Sequence, residues 1–259
     1  MATTNVELNQ LQPLLTEIKL KHFAAALQSS IQKLSPNEQD LILQTTYHCA
    51  LVEKTERKSS VIESKIKSAK FKRIQTVDTY DFTHSKTAQS IQKNYLGLIS
   101  SISKDNLPSA IFTGNAGLGK THLARALGYA ACQKNISTLF VTAAEMVNRL
   151  LAAQKIFQLE NELSKFRRPE LLIIDELGYV ALDTSASNLF FQVISARHDQ
   201  GLGTVATTNL SFGKFNQIFA NDAIAHAIVD RLVADAEVFY MEGASYREHQ
   251  RQEKMKKKS

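Results

Sequence analysis

Two hydrophobic rhythms divide the chain. Leu8, Leu11, Leu14, Leu15 and Ile18, and later Leu41, Ile42, Thr45, Cys49 and Val52, recur at three and four residues, the spacing of one helical face. Ser35 as N-cap, Pro36 at the first helical position and Glu38 in the first turn predict a fresh helix there; its continuation from Lys54 to Arg73 turns strongly polar. From about Asn106 the rhythm changes to short β-rich runs, Ser109 to Thr113, Ser137 to Thr142, Leu171 to Asp175, Gly203 to Thr208 and Glu237 to Met241. Helical stretches such as Thr121 to Cys132 and Ser185 to His198 separate them, which predicts repeated βα units and a parallel sheet. The middle run is continuously apolar, as a strand covered on both faces must be. The expected organisation is a helical N-terminal domain over 1–73, a connector over 74–105 rich in turn formers, an α/β domain over 106–246 and a basic tail over 247–259.

Composition narrows the class without changing that division. With 259 residues, 44% hydrophobic, 22% charged, 10 Gly and 4 Pro, the chain is neither collagen-like nor wholly disordered and is long enough to bury a full core. No apolar run approaches the ~20 residues that span a bilayer, and the first residues lack the parts of a signal peptide; the expected location is the cytoplasm, with no membrane partner. Cys49 and Cys132 stand far apart without metal-ligand spacing, so buried reduced thiols are expected. Charge matters through its distribution. Residues 1–75 hold 11 Lys/Arg against 7 Asp/Glu, 74–246 hold 14 against 16, and 247–259 hold 6 against 2, so the ends are basic and the middle is not.

The chemistry concentrates in the α/β part. Gly114, Asn115, Ala116, Gly117, Leu118, Gly119, Lys120 and Thr121 match G-x-x-x-x-G-K-[ST] directly after a strand and directly before a helix, the context that lets backbone N–H groups and a helix N-terminus cradle phosphates. A glycine-rich turn that binds nothing is the bland alternative. Lys120 is expected on the β- and γ-phosphates of ATP, and the Thr121 hydroxyl on Mg²⁺. The apolar strand Leu171–Ile174 ends in Asp175 and Glu176, expected to serve the metal's shell and to orient or deprotonate the attacking water, respectively. Hydrolysis also calls for positive charge at the transition state: Arg231, just before the last strand, is the candidate donated to a neighbouring subunit, with a surface ion pair to Asp230 or Asp235 as its alternative. Arg247 is the candidate acting on the phosphates of its own chain, and Arg197 a further candidate for a subunit interface.

Gly-x-x-Gly-x-Gly-Lys-Thr-His through His122, Leu-Leu-Ile-Ile-Asp-Glu-Leu-Gly-Tyr through Tyr179, Thr-Thr-Asn at 207–209, Val-Asp-Arg-Leu at 229–232 and Ser-Tyr-Arg at 245–247 together resemble the IstB family, AAA+ transposition helpers related to DnaA initiators and DnaC helicase loaders. The resemblance covers most of the chain, including Val52–Lys54, Ala69–Phe71 and Asp81-Phe82 upstream. It implies a P-loop fold of the additional-strand type, with the Gly203 strand between the two nucleotide-motif strands, Asn209 beside the γ-phosphate where it helps place the water, and His122 within the nucleotide site; an Asn after a strand is also a common turn residue. It also implies an oligomer with ATP at subunit interfaces, double-stranded DNA and a partner transposase. Asn115-Ala116 stand where the family commonly has Pro-Pro, and Arg197-His198-Asp199 where Arg-Tyr-Glu is common; neither removes a group the chemistry requires.

Lys54, Arg57, Lys58, Lys65, Lys67, Lys70, Lys72 and Arg73 are accompanied within their stretch only by Glu56 and Glu63. A helix so charged is a credible sequence-independent clamp on DNA phosphates, with Phe71 placed to stack or wedge; the alternative is a solvated lysine-rich face. The competing functions are a DnaC-like loader of a replicative helicase, a small-molecule kinase on the same loop, and an ATP-binding switch without useful turnover. Paired carboxylates, a polar strand end and a basic helix suit water activation and DNA better than phosphoryl transfer to a metabolite.

Overall fold

The computed structural model describes residues 8–243, 245 and 246, and they fall into two compact units that divide between Glu63 and Ser64. The first unit is helical: α1 (Leu8–Glu17), α2 (Lys21–Ile31) and the larger part of α3 (Pro36–Ser68). Lys19 in the left-handed region at φ 64 separates α1 from α2. The start of α3 is fixed by Glu38, whose carboxylate accepts from the Ser35 hydroxyl and backbone N–H, and the Ser35 hydroxyl chiefly lowers that carboxyl's proton affinity.

The helical face expected from Leu41, Thr45, Cys49 and Val52 points outward. Leu41 is 66% and Val52 49% exposed, while Ala50 is buried among Leu11, Leu14, Leu15 and Ile18 with Leu43 and Tyr47 beside it. Two apolar stripes compete on α3, and polar anchors decide between them. Lys54 pairs with Glu17 at 2.8 Å and Arg57 donates to the Ile18 carbonyl at 2.6 Å, both on the stripe of Ala50. Of the two thiols only Cys132 is buried; Cys49 is exposed.

The second unit carries a five-stranded parallel sheet of β1 (Ala110–Gly114), β2 (Thr138–Thr142), β3 (Leu171–Leu177), β4 (Gly203–Thr208) and β5 (Glu237–Met241), in the order β2-β3-β4-β1-β5. β4 thus lies between β1 and β3. Period-two alternation sends Ile111, Val141, Leu172, Ile174 and Ala206 to one face and Phe112, Phe140, Ile173, Val205 and Phe239 to the other. The first face packs α6 (Ala143–Lys155), α7 (Leu159–Arg167), α8 (Thr184–Asp199) and α9 (Asp222–Val233). The second packs α4 (Lys86–Ser101) and α5 (Lys120–Gln133).

Residues 74–105, expected as a connector, therefore belong to a covering layer. Tyr95 of α4 is fully buried, its ring 6.0 Å from Phe112 and 5.9 Å from Phe239, and its hydroxyl donates to the Leu123 carbonyl at 2.8 Å. Tyr80, Phe82, Ala88, Ile91, Tyr95 and Ile102 are buried in this layer, and Ala88, Ile91, Tyr95, Leu98 and Ile102 recur at three and four residues, a helical stripe present in the sequence itself. Phe71 is likewise committed inward, 6.1 Å from the Phe140 ring, so it is not placed to wedge into DNA. The Ala69 carbonyl accepts from the Phe140 N–H at 2.8 Å and so covers part of the edge strand β2. No helix among the described residues is long and apolar enough to cross a membrane.

Arg197, considered above for a subunit interface, is fully buried instead. Its guanidinium donates to the carbonyls of Phe166, Pro169 and Gly203 and to the Thr204 hydroxyl, tying α8 to the start of β3 and β4. Burial pushes its pKa down to about 9. Arg197→Ala leaves these carbonyls without their donor in a dry site, and is expected to lower unfolding free energy by about 3 kcal/mol, read as the shift in urea midpoint; a loss under about 1 kcal/mol would contradict a structural role.

Candidate functional site

The carboxyl ends of the strands converge on one cleft of about 620 Å³. The loop between β1 and α5 forms one wall. Gly119 caps α5 at φ 89 and Gly117 sits at φ 82; besides the left-handed backbone, a Cβ at Gly119 would meet the Tyr80 ring at 2.5 Å and one at Gly117 the Ser245 hydroxyl at 2.2 Å. Only glycine lets segments before and after the sheet close so tightly on the loop. The Tyr246 N–H donates to the Gly117 carbonyl and the Tyr80 hydroxyl to the Leu118 carbonyl. Gly114, Asn115 and Ala116 complete the turn, and the Gly114 and Asn115 carbonyls each accept from Lys120 Nζ at 2.7 Å.

Behind the loop, β3 and β4 shift register between Ile174 and Leu177. Ile174 faces Ala206 and Leu177 faces Thr208, so Asp175 and Glu176 share the space opposite Thr207, as at a β-bulge. Glu176 adopts φ 61, which turns it out of the ladder into the cleft. Its N–H donates to Thr207 Oγ1 at 3.0 Å. Asp175, 2% exposed, accepts at a single carboxylate oxygen from Thr121 Oγ1 at 2.8 Å and Thr207 Oγ1 at 2.6 Å. The structure therefore gathers Lys120, Thr121, Asp175 and Glu176 at one end of the sheet. Asn209 lies close by, its Oδ1 3.1 Å from where a Cβ on Gly178 would be, and that oxygen is buried with no hydrogen-bond partner.

The donor set suits a phosphate chain with a hard cation. A hydroxyl and a carboxylate face each other at the start of α5, and an ammonium and a helix N-terminus lie on the phosphate side. His122 has a different attachment. Its Nε2 is 3.1 Å from both the Thr76 carbonyl oxygen and Thr79 Oγ1; burial first, then Arg125, lowers its proton affinity against the opposing Thr76 contact. It thus joins the segment before α4 to the loop while still lining the cleft.

Arg231 does not join this cluster. It stands in the last turn of α9, with its guanidinium 4.9 Å over the Phe191 ring and donating to Ser195 Oγ at 3.2 Å and the Ala227 carbonyl at 3.1 Å. It lines a separate cavity with Asp105, Ser109 and Thr204 where β1 and β4 begin, the opposite end of the sheet. No ion pair to Asp230 or Asp235 forms among the described residues. Arg247 and the tail 247–259 lie outside the described residues.

The basic segment is dispersed. Lys54 and Arg57 are engaged by Glu17 and Glu53 within the helical unit, where Lys58 lines a groove together with those acids. Lys65 and Lys67 stand in the last turn of α3, Lys70 follows at φ 60, and Lys72 and Arg73 line the phosphate-type cleft. Thr207 stands out in the sequence only within Thr-Thr-Asn at 207–209 and without a role of its own, and Tyr80 and Arg125 not at all. The hydroxyl pair Thr207-Thr208, closing a central strand directly after Val205 and Ala206, was the available signal for the first.

A family model described as IstB-like ATP binding protein matches residues 13–254. The chain is 33% identical over 238 residues, 92% of its length and 94% of the relative's, to a protein of Bacillus thuringiensis subsp. berliner named as an ATP-binding protein of insertion sequence IS232. It is 36% identical over 192 residues, 74% of this chain and 75% of the relative, to the ATP-binding protein named for insertion sequence IS5376 of Geobacillus stearothermophilus. Among solved structures it is similar to the DnaC helicase loader, with a TM-score of 0.58 at 20% identity over 64% of this chain and 96% of that one. It also resembles AMPPCP-bound DnaA from Aquifex aeolicus, with a TM-score of 0.55 at 15% identity over 70% and 55% of the two chains. At such identities the likeness to both structures is one of fold.

Proposed function

Because the chain belongs to the IstB-like ATP-binding proteins, we propose that it binds and hydrolyses ATP in an oligomer formed on double-stranded DNA, and that this assembly assists a transposase. The observation that carries the nucleotide part is the convergence of Lys120, Thr121, Asp175 and Glu176 on one cleft. Lys120 exchanges its two backbone carbonyls for the β- and γ-phosphates. Thr121 and Asp175 hold magnesium, which when bound offsets the charge of the β- and γ-phosphate oxygens. Glu176, turned into the cleft by its left-handed backbone, orients and deprotonates water, and Asn209 places its amide beside the terminal phosphate.

Arg231 supports the oligomer. At the opposite end of its own sheet it has no route to its own nucleotide, so a role in hydrolysis means service to a neighbour's site, after release from Phe191 and Ser195. The insertion-sequence setting rests on relatives aligned over 92% of the chain. The alternative, a DnaC-like helicase loader, has support from fold similarity at 20% identity. For DNA, the cations that form no ion pair among the described residues, Lys67 and Lys70 foremost, favour contacts to phosphates rather than bases.

Glu176→Gln is expected to keep ATP affinity and to lower turnover about a hundredfold, measured as phosphate release; hydrolysis at the parent rate would remove Glu176 from the water-activating role. Arg231→Ala is expected to cost about a thousandfold in turnover of the assembled protein and to recover part of it when mixed with Lys120→Ala subunits, whose arginine serves the intact site. Absence of rescue would make Arg231 a local packing residue. DNA binding with ATP is expected to weaken about a hundredfold from about 50 to about 200 mM salt if roughly four cations sit on phosphates, with a shallower slope for Lys67→Glu in a fluorescence titration. A salt-independent affinity would refute the phosphate clamp.

A further inference from the structure

The cleft that holds the glycine loop has a cationic wall that the chemistry above does not employ. Lys72 and Arg73 contribute to it from the segment after α3, and Arg125 from the second turn of α5. None of the three enters an ion pair among the described residues. Arg125 lies four residues after Thr121, on the same face of α5, and is held rather than mobile. Its guanidinium stacks 4.7 Å from the centre of the Phe140 ring, and Nη1 donates to Gln75 Oε1 at 3.3 Å. Phe71 packs on the same Phe140 ring, and its own ring closes on α5 at Gly128, where a Cβ would come within 3.0 Å of it. Stacking fixes the plane of a guanidinium and leaves its edge available for hydrogen bonds. One edge donor, Nε, is buried with no partner.

The charge balance around this wall is incomplete. Burial and the nearby Arg73 lower the proton affinity of Arg125, while Asp175 and Glu176 raise it, so four charged groups share one field. Asp175 is already engaged by two hydroxyls and stands at the metal position. Lys72, Arg73, Lys120 and Arg125 line the cleft against Glu176, with Asp175 behind it, an excess of positive charge that an anion entering the cleft offsets.

We infer that Arg125, Arg73 and Lys72 form a second phosphate-binding subsite of this cleft, which takes the terminal phosphate of a nucleoside triphosphate and so distinguishes triphosphate from diphosphate. The inference rests on the nucleotide reading given above. It assigns Lys72 and Arg73, expected from the sequence to hold DNA, to the nucleotide. A DNA backbone phosphate has the same chemistry, so the test needs an arm for each source.

Calorimetric titration of the full chain with ATP and with ADP, both with magnesium, is run on the parent, Arg125→Gln and Arg73→Gln. Arg73 is exposed at the cleft mouth, which keeps the test informative should Arg125→Gln disturb packing on Phe140. The subsite predicts about a tenfold loss of ATP affinity in Arg125→Gln and about threefold in Arg73→Gln, with ADP affinity changed less than about twofold in both. Equal losses for ATP and ADP, or no loss in either variant, overturn it. Unchanged nucleotide affinities with weaker DNA binding at saturating ATP also overturn it, in favour of a DNA phosphate. A parent that binds neither nucleotide sinks the inference together with the nucleotide reading, whereas a binding parent with unaltered variants sinks the inference alone.

Discussion

One buried carboxylate organises the site. A charged group as enclosed as Asp175, 2% exposed, costs several kcal/mol unless its environment compensates, and here two hydroxyls do so. They come from different elements: Thr121 opens α5 and Thr207 lies near the end of β4. The same Thr207 oxygen accepts from the Glu176 N–H, so a four-residue network sets the positions of the loop, the shifted end of β3 and the polar end of β4. Remove the carboxylate and all three lose their common reference.

The network also explains why the residue after Asp175 can do something different. An undisturbed strand would alternate the two side chains across the sheet. The register shift and the left-handed backbone at Glu176 give two adjacent carboxylates different surroundings, one buried among hydroxyls and one exposed in the cleft. That separation suits one group for a metal's shell and the other for water. On the opposite wall Lys120 is buried and satisfied by its own loop, so on the proposed reading a phosphate chain would have to exchange with those carbonyls rather than enter a set of unpaired donors.

How much of this was legible follows from what each element depends on. The five strands stand within a residue or two of where the β-rich runs place them, because buried parallel strands are apolar along their length and turn formers bound them. The loop at 114–121 was legible because its glycines answer a local backbone requirement. The buried face of α3 was not: Leu41 to Val52 and Leu43 to Ala50 are both helical stripes, and contacts to Glu17 and Ile18 chose the second. Residues 74–105 read as a connector because turn formers at 78–82 and 100–106 mask the helical stripe of Ala88, Ile91, Tyr95, Leu98 and Ile102; what that stripe covers, with Tyr95 on Phe112 and Phe239, is set across the fold. Lys72 and Arg73 sat in a basic run whose natural reading was a surface; only the packing of Phe71 on Phe140 turns that segment toward the cleft. Local patterns announced what local forces determine, and the rest waited on tertiary contacts.

The central claim is that the glycine loop and Asp175 together hold a triphosphate with its metal. Titrating ATP into the folded full chain by calorimetry, once with magnesium and once with the metal chelated, tests it most directly. The account predicts one site per chain with affinity markedly higher when magnesium is present, and Asp175→Asn abolishing that difference. No binding heat in either condition, or equal affinity with and without the metal, would contradict it.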